Sequence, residues 1–481
     1  MDLSTKSFTL PDELWLKIFG YLSTTTICKV VPKVCKQWYF ISNDKELWRN
    51  VKIPRTDHRL TRNSFQKLFS EKNIHSVTSF SVDGQSQFTD DMLKILISAN
   101  PNLTKLSLHK CYKISSNGIK LISDLTNLHS LSISIRYDDD DDDLHSLDDA
   151  EDSLLYISER LSLLTHLSIH GLGFITGMSG KTCLAISHLQ NLSHLELINV
   201  EFNETSFVEM CSNLQNVKQL IIYRPFSLNN RELYSIKFKN LSYLALSNLA
   251  VSADDALAML LDNNSNLHFL KIMNSKIHGK FIHHNHNLKT LELIGCDHLD
   301  ENFYKYFENN TGLNELNVTI NANCKFNVSF KDIDRLKVFL LPFIRQDPSN
   351  FKKYEFLKSE NLVELQIGIG EVYLQKNCIE IVFATCKSLL KFFIRGIDFS
   401  QSKRLKLLKN QSIREFSANW VKNVDRCVVI KLAKALPNVC SLEFLFIDCL
   451  TVQMLQIFHD HCKFLRNISS DASLKTHNAI C

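Results

Sequence analysis

Two short stretches carry residue types that bind metal ions: "HHNH" at His283–His286 and "HDHC" at His459–Cys462. A structural zinc site needs four ligands held tetrahedrally, usually as two separated pairs. Each stretch stands alone, so a solvated surface is the expected reading and no metal is assigned. The fourteen cysteines are scattered singly without a CxxC pair, which reads as reduced thiols. No Ser/His/Asp or Cys/His grouping falls in a recognisable catalytic context, and the thirteen glycines form no phosphate-cradling loop. The chain is therefore expected to catalyse nothing itself and to need no cofactor.

The 481 residues, 44% hydrophobic and 22% charged, have the composition of a globular protein. No apolar run is long enough for a membrane helix, and "MDLSTKSFTL" lacks the regions of a signal peptide. A cytosolic or nuclear location follows as an expectation, with no membrane partner. Net charge is +4, yet ten acidic residues and no Lys or Arg lie between Asp138 and Asp152. Without that acidic stretch the body is mildly basic, which suits acidic protein partners. It has no basic stripe with interleaved aromatics, so nucleic acid is not expected. Asn-x-Ser/Thr triplets at Asn102, Asn191 and Asn240 arise because Asn precedes a recurring leucine.

That leucine belongs to a repeat. The pattern L-x-x-L-x-L, with other apolar residues allowed, starts at Val77, Leu103, Leu128, Leu164, Leu192, Val217, Leu241 and Leu267. It continues at Leu288, Leu313, Leu336, Leu362, Leu389, Ile413 and Val439, and a degraded copy at Phe464 is expected to close the array. Spacings run from 21 to 28 residues apart from one of 36, which contains the acidic run Asp138–Asp143 and so marks a loop insertion. Apolar residues at the first, fourth and sixth positions point into a core shared with neighbouring repeats. Helical-period stretches such as "FTDDMLKILISANPN" lie between the strands. One repeat cannot bury its own face, so stability sums over neighbours. The pattern resembles the leucine-rich-repeat family of roughly 26-residue helical type. The implied fold is an α/β solenoid of about 15 repeats, a curved parallel sheet with outer helices, over residues 77–468 with an insertion at 138–152 and a tail at 469–481.

In each strand the third, fifth and seventh positions point outward, into the expected concave face. Early repeats place small or polar groups there: Ser79, Ser81, Lys105, His109, Ser130 and Ser132. His166, His170 and His194 follow on adjacent strands, a candidate partner contact or pH-sensitive rim. The middle repeats turn apolar, with Ile198, Ile221, Tyr223, Tyr243, Phe269, Met273 and Ile294. These seven are the candidate substrate-binding residues, by hot-spot composition. Two other readings stand beside it: the tail covers the face, or a one-residue register error turns these residues inward. The cations Lys105, Lys271, Lys391 and Arg395 are too dispersed for an inositol-polyphosphate site.

Residues 8–50 have a different character. Leu10, Leu14, Ile18 and Leu22 recur every four residues along one helix, widened by Trp15 and Phe19. A second helix is expected over Thr24–Val31, broken at Pro32, and a third carries Val34, Cys35, Trp38, Phe40 and Ile41 towards Leu47 and Trp48. So small a unit cannot bury all these side chains. Periodicity leaves two readings open, a cap docked on the first repeats or an interface for a partner. Residues 51–76 read as a linker helix joining this unit to the repeats.

"LPDELWLKIF…VCKQW…LW" resembles the F-box family, and "VCKQWYFISNDKELW" is similar to the S-phase kinase-associated F-box proteins. The resemblance implies a small all-α three-helix F-box that binds a Skp-type adaptor and, through it, a cullin scaffold. The matching positions, and hence the candidate adaptor-binding residues, are Leu10, Pro11, Glu13, Leu14, Ile18, Leu22, Val34, Cys35, Trp38, Leu47 and Trp48. Trp15 and Pro32 depart from the family pattern. The implied function is substrate recognition for a Skp–cullin–F-box ubiquitin ligase, with an unidentified protein substrate held on the repeats. The alternative is a non-catalytic scaffold using its F-box–adaptor pair outside ubiquitination.

Overall fold

A computed structural model describes residues 10–53, 55, 61–71, 76–85, 87–111, 113–136, 147–172, 180–200, 202–224, 228–250, 253–284, 287–296, 298–299, 312–319, 338–344, 359–369, 374–400, 404–447 and 450–470. The acidic run Asp138–Asp143 and the residues beyond Ser470 lie outside them. The chain divides into two compact units, one reaching Phe226 with Ser235–Leu241, the other comprising Ser227–Tyr234 and Ser242 onward.

The first unit opens with α1 (Asp12–Phe19), α2 (Thr24–Lys29), a 3-10 turn (Val31–Lys33), α3 (Lys36–Ile41) and a second 3-10 turn (Lys45–Trp48). The Ser23 hydroxyl caps α2 by accepting from the Thr26 N–H at 3.1 Å. Phe19, Val31 and Ile41 form the core of this domain, and Trp15, Leu16, Trp38 and Leu47 pack around it. Trp15 therefore does not widen the outer stripe. Its ring lies 4.7 Å from that of Trp38. Pro32 sits at the start of a 3-10 turn, where its missing N–H costs no helical hydrogen bond.

Seven parallel strands follow in the same unit: β1 (Asn50–Ile53), β2 (Ser79–Asp83), β3 (Lys105–His109), β4 (Ser130–Arg136), β5 (His166–Leu172), β6 (His194–Ile198) and β7 (Gln219–Tyr223). Each pairs with the next in chain order. The sheet thus begins at Asn50, earlier than the repeat pattern indicates, and residues 51–76 are more than a linker. Val51 and Ile53 point inward from β1. The helix Arg62–Glu71 places Phe65 against Phe80 and Phe88, with Phe69 packed on Phe65. Aromatic packing replaces leucine here, which hides the repeat from a leucine-based pattern.

The second unit continues with β8 (Tyr243–Ser247), β9 (Phe269–Met273), β10 (Thr290–Ile294), β11 (Glu315–Thr319), β12 (Val338–Ile344) and β13 (Glu364–Ile369). A minor pair, β14 (Leu374–Gln375) and β16 (Ile397–Asp398), flanks β15 (Lys391–Arg395). The sheet ends with β17 (Glu415–Asn419), β18 (Ser441–Leu445) and β19 (Asn467–Ser470). Leu442 pairs with Ile468, so the last copy of the pattern starts at Leu465; Phe464, one residue earlier, is exposed.

Two devices recur in both units. The asparagine before a repeat leucine ties its repeat to the previous one: Asn191, Asn216, Asn287 and Asn438 donate to the carbonyls of Ser162, Gln190, Ser265 and Gln411. The residue just after a strand takes positive φ, as at Gly84, Asn199, Asn248, Asn274 and Gly396. Its N–H donates to the last carbonyl of the following strand.

Phe65 is fully buried, so Phe65→Ala is expected to destabilise the first unit by about 3–5 kcal/mol. Chemical denaturation followed by near-UV circular dichroism checks this. A neutral substitution would return 51–76 to the role of a linker.

Candidate functional site

Once Phe19, Val31 and Ile41 have filled the core of residues 10–48, one apolar face remains outside it. Leu10, Leu14, Ile18 and Leu22 all stay exposed, as does Val34. Pro11 and Glu13 are exposed beside them. Sequence reasoning did not single out Tyr21, Val30 and Tyr39 as surface groups, yet all three are exposed, Tyr21 at 92%. Phe40, counted with the third helix, is 71% exposed. The clue was available, since apolar residues occur on more sides of these short helices than one core can take.

Three expected adaptor contacts are placed differently. Trp48 is only 1% exposed, and its indole N–H donates to the Ser42 carbonyl at 2.9 Å. Direct contact with a partner does not fit this position; Trp48 supports the domain from inside. Trp38 and Leu47 are half-buried and pack on the core. Cys35 stays on the surface, where a partner can cover it, and its sulfur accepts from the Trp38 N–H at the start of α3.

The second candidate surface is the outward side of the strands. At these positions the strand register holds: all seven predicted apolar residues face outward and are half-buried. They fall into two groups. Ile198, Ile221 and Tyr223 belong to the first unit, where Ile198 and Tyr223 are paired neighbours. Tyr243, Phe269, Met273 and Ile294 belong to the second. There the rings of Tyr243 and Phe269 stack 4.3 Å apart, and Met273 neighbours Ile294.

The first unit also gathers the predicted histidines. His166 and His194 stack with ring centroids 3.9 Å apart, and His109 meets His170 edge-on at 4.7 Å. The Ser168 hydroxyl donates to Glu196 and lies 2.8 Å from Nε2 of His170. Ser132, His166, Ser168, His194, Glu196 and Ile221 border a shallow cavity of about 260 Å³. Burial, with Lys105 adding repulsion, lowers the pKa of His166. Burial, His166 and Lys218 together lower that of His194. His170 is also lowered, by burial against a smaller opposing pull from Glu196.

Burial pushes the Cys111 thiol up to about 12 and the Cys462 thiol to about 11, so both stay protonated. His284 lies 3.3 Å from Asp262, and no group of metal-binding side chains forms among the described residues. His286, the last residue of the "HHNH" stretch, lies outside those residues.

Comparison with known proteins bears on the first of these surfaces. A family model described as F-box-like matches residues 8–54. A putative F-box/LRR-repeat protein 23 of Arabidopsis thaliana is 27% identical over 131 residues. The chain carries an F-box-like domain at its N-terminal end and is similar over part of its length to an F-box/leucine-rich-repeat protein. The aligned stretch covers 26% of this chain and only 28% of the Arabidopsis relative. Among solved structures, a TLR13–ssRNA13 complex aligns with TM-score 0.48 at 15% identity, covering 88% of this chain and 62% of the other. A yeast Rad7–Elc1 complex aligns with TM-score 0.39 at 15% identity, covering 90% and 96%.

The histidine stack sets a pH dependence. Pushed below the 6.5 of free imidazole, these groups bind fewer protons folded than unfolded. The stability they confer is present above that value and is lost as pH falls through the native pKa values. His166 and His194 imidazole resonances should titrate below 6.5. A His166→Gln/His194→Gln double variant should show a shallower loss of Tm on acidification. Midpoints above 6.5 would contradict the stack.

Proposed function

We propose that this chain, with its F-box-like domain ahead of a repeat sheet, is the substrate-recognition subunit of a Skp–cullin–F-box ubiquitin ligase. The observation that carries the reading is the surplus apolar face of the F-box-like domain: Leu10, Leu14, Ile18 and Leu22 remain exposed although the domain already has a filled core. A face of this kind needs a partner, and the family resemblance supplies a Skp-type adaptor that links to a cullin. The repeats behind it offer a long row of outward side chains for a protein substrate. Such a receptor contributes position rather than bond chemistry. It holds a target lysine near the charged conjugating enzyme and so lowers the entropic barrier to transfer. On this reading the protein acts in the cytosol or nucleus.

Co-expression with a Skp-type adaptor tests the reading. Leu14→Asp/Ile18→Asp is expected to weaken adaptor binding at least about 100-fold, from the loss of two buried aliphatic contacts. Its far-UV circular dichroism should be unchanged, because neither side chain is in the core. Undiminished adaptor capture by the double variant would refute the assignment of this face. Recovery of the adaptor without any cullin would instead favour the scaffold reading.

A further inference from the structure

Two neighbouring rings on the outward side of the first unit are held in the same way. The hydroxyls of Thr165 and Ser193 donate to the carbonyls of His129 and Thr165, at 3.0 and 3.1 Å. With those hydrogens committed, each hydroxyl oxygen accepts from the ring beside it. Thr165 takes Nδ1 of His166 at 2.8 Å, and Ser193 takes Nδ1 of His194 at 2.7 Å. Nδ1 therefore carries the hydrogen of the neutral ring, and the lone pair belongs to Nε2. Neither Nε2 has a hydrogen-bond partner among the described residues. The rings stack with centroids 3.9 Å apart, and both border the cavity of about 260 Å³.

The charges that bear on this pair lie on the surface itself. Across β2 to β7 the third strand position holds Ser79, Lys105, Ser130, His166, His194 and Gln219, with no carboxylate. Lys105 repels a proton on His166, and Lys218 repels one on His194. His129 is exposed just ahead of β4. Glu196 borders the cavity from the fifth position, where it accepts from Ser168 at 2.7 Å and lies 3.9 Å from His170. It acts on His170, together with Lys110 and His109, and not on the stacked pair. Asp83 is taken by His109 at 2.8 Å. A metal cation does not suit the rings, because the lysines oppose it and no metal-binding group forms among the described residues.

We propose that His166 and His194 form a proton-coupled docking point for an acidic side chain on a protein segment, with Lys105 on one flank and Ile221 on the other. Alone, the rings stay neutral. A carboxylate seated against them accepts from a proton gained at Nε2, and so raises the pKa of the ring that carries it. Nδ1 keeps its bond to the hydroxyl in both protonation states, so the proton arrives without rearrangement. Stacking at 3.9 Å restricts the gain to one proton for the pair. Binding takes up that proton and strengthens as pH falls. Ile221 borders the cavity, and Ile198 pairs with Tyr223 beside it, which suits a segment with an apolar residue next to its acid. A nucleic-acid backbone needs a run of cations, and Lys105 is the single lysine in this row. The site uses nothing from the F-box-like domain, so it stands or falls separately from the proposed ligase role.

The test uses the full chain and a dodecapeptide with Leu-Glu-Ile-Glu at its centre, labelled with tetramethylrhodamine and read by anisotropy. Saturable binding is expected, tightening by up to about tenfold from pH 7.5 to pH 6.5, the limit for one coupled proton. His166→Gln/His194→Gln should flatten that slope, as should changing both peptide Glu to Gln. Lys105→Gln should weaken binding by about threefold, as for an exposed ion pair. Lys105 is exposed, so this variant probes the site without touching the core. Adaptor capture should be the same for every variant, which separates failure here from failure of the ligase reading. The proposal is overturned if wild type shows no saturable binding at the lower pH, or if affinity stays level or falls on acidification. It is overturned as well if the double Gln variant keeps the slope, or if a twelve-residue oligouridylate displaces the peptide.

Discussion

Parallel register governs this molecule. Within each unit, the fourth- and sixth-position apolar residues of one strand must meet those of the next, because no repeat can bury them alone. Leu195 stands beside Leu220 and Leu197 beside Ile222 in the first unit; Leu244 stands beside Leu270 and Leu246 beside Ile272 in the second. Satisfying that pairing fixes every outward residue as well. The histidine stack and the Tyr243–Phe269 stack are by-products of the ladder that buries leucine.

The F-box-like domain works under an opposite constraint. Its helices are six to eight residues long, too short to stand without packing. A cluster of Trp15, Phe19 and Trp38 rings therefore fills the small interior. Aromatics deliver much buried area from few residues. That economy releases the aliphatic stripe on α1 for the surface.

Where the sequence carried a strict period, the structure was legible from it. The L-x-x-L-x-L frame located outward residues from Ser79 to Ile294 because a strand alternates with period two. The period failed where other chemistry replaced leucine. Strand β1 has only Val51 and Ile53 as inward residues, backed by phenylalanines, and the final copy presents an exposed Phe464 next to the true start at Leu465. In the F-box-like domain, pattern alone could not separate residues facing a partner from residues facing the core. Trp48 belongs to the core and Leu14 to the surface, although both match the same family motif.

The asparagine ties between repeats have a chemical corollary. Asn191 begins an Asn-Leu-Ser triplet, yet its Nδ2, the atom that a glycan would occupy, already donates to the Ser162 carbonyl at 2.8 Å. Asn102 begins another triplet, and its Oδ1 accepts from Asn127. Attaching sugar at Asn191 would replace one of the two amide hydrogens and set a bulky group against the stitch between two repeats. The folded array thus holds that amide in a fixed place, and an unfolded chain would offer it freely.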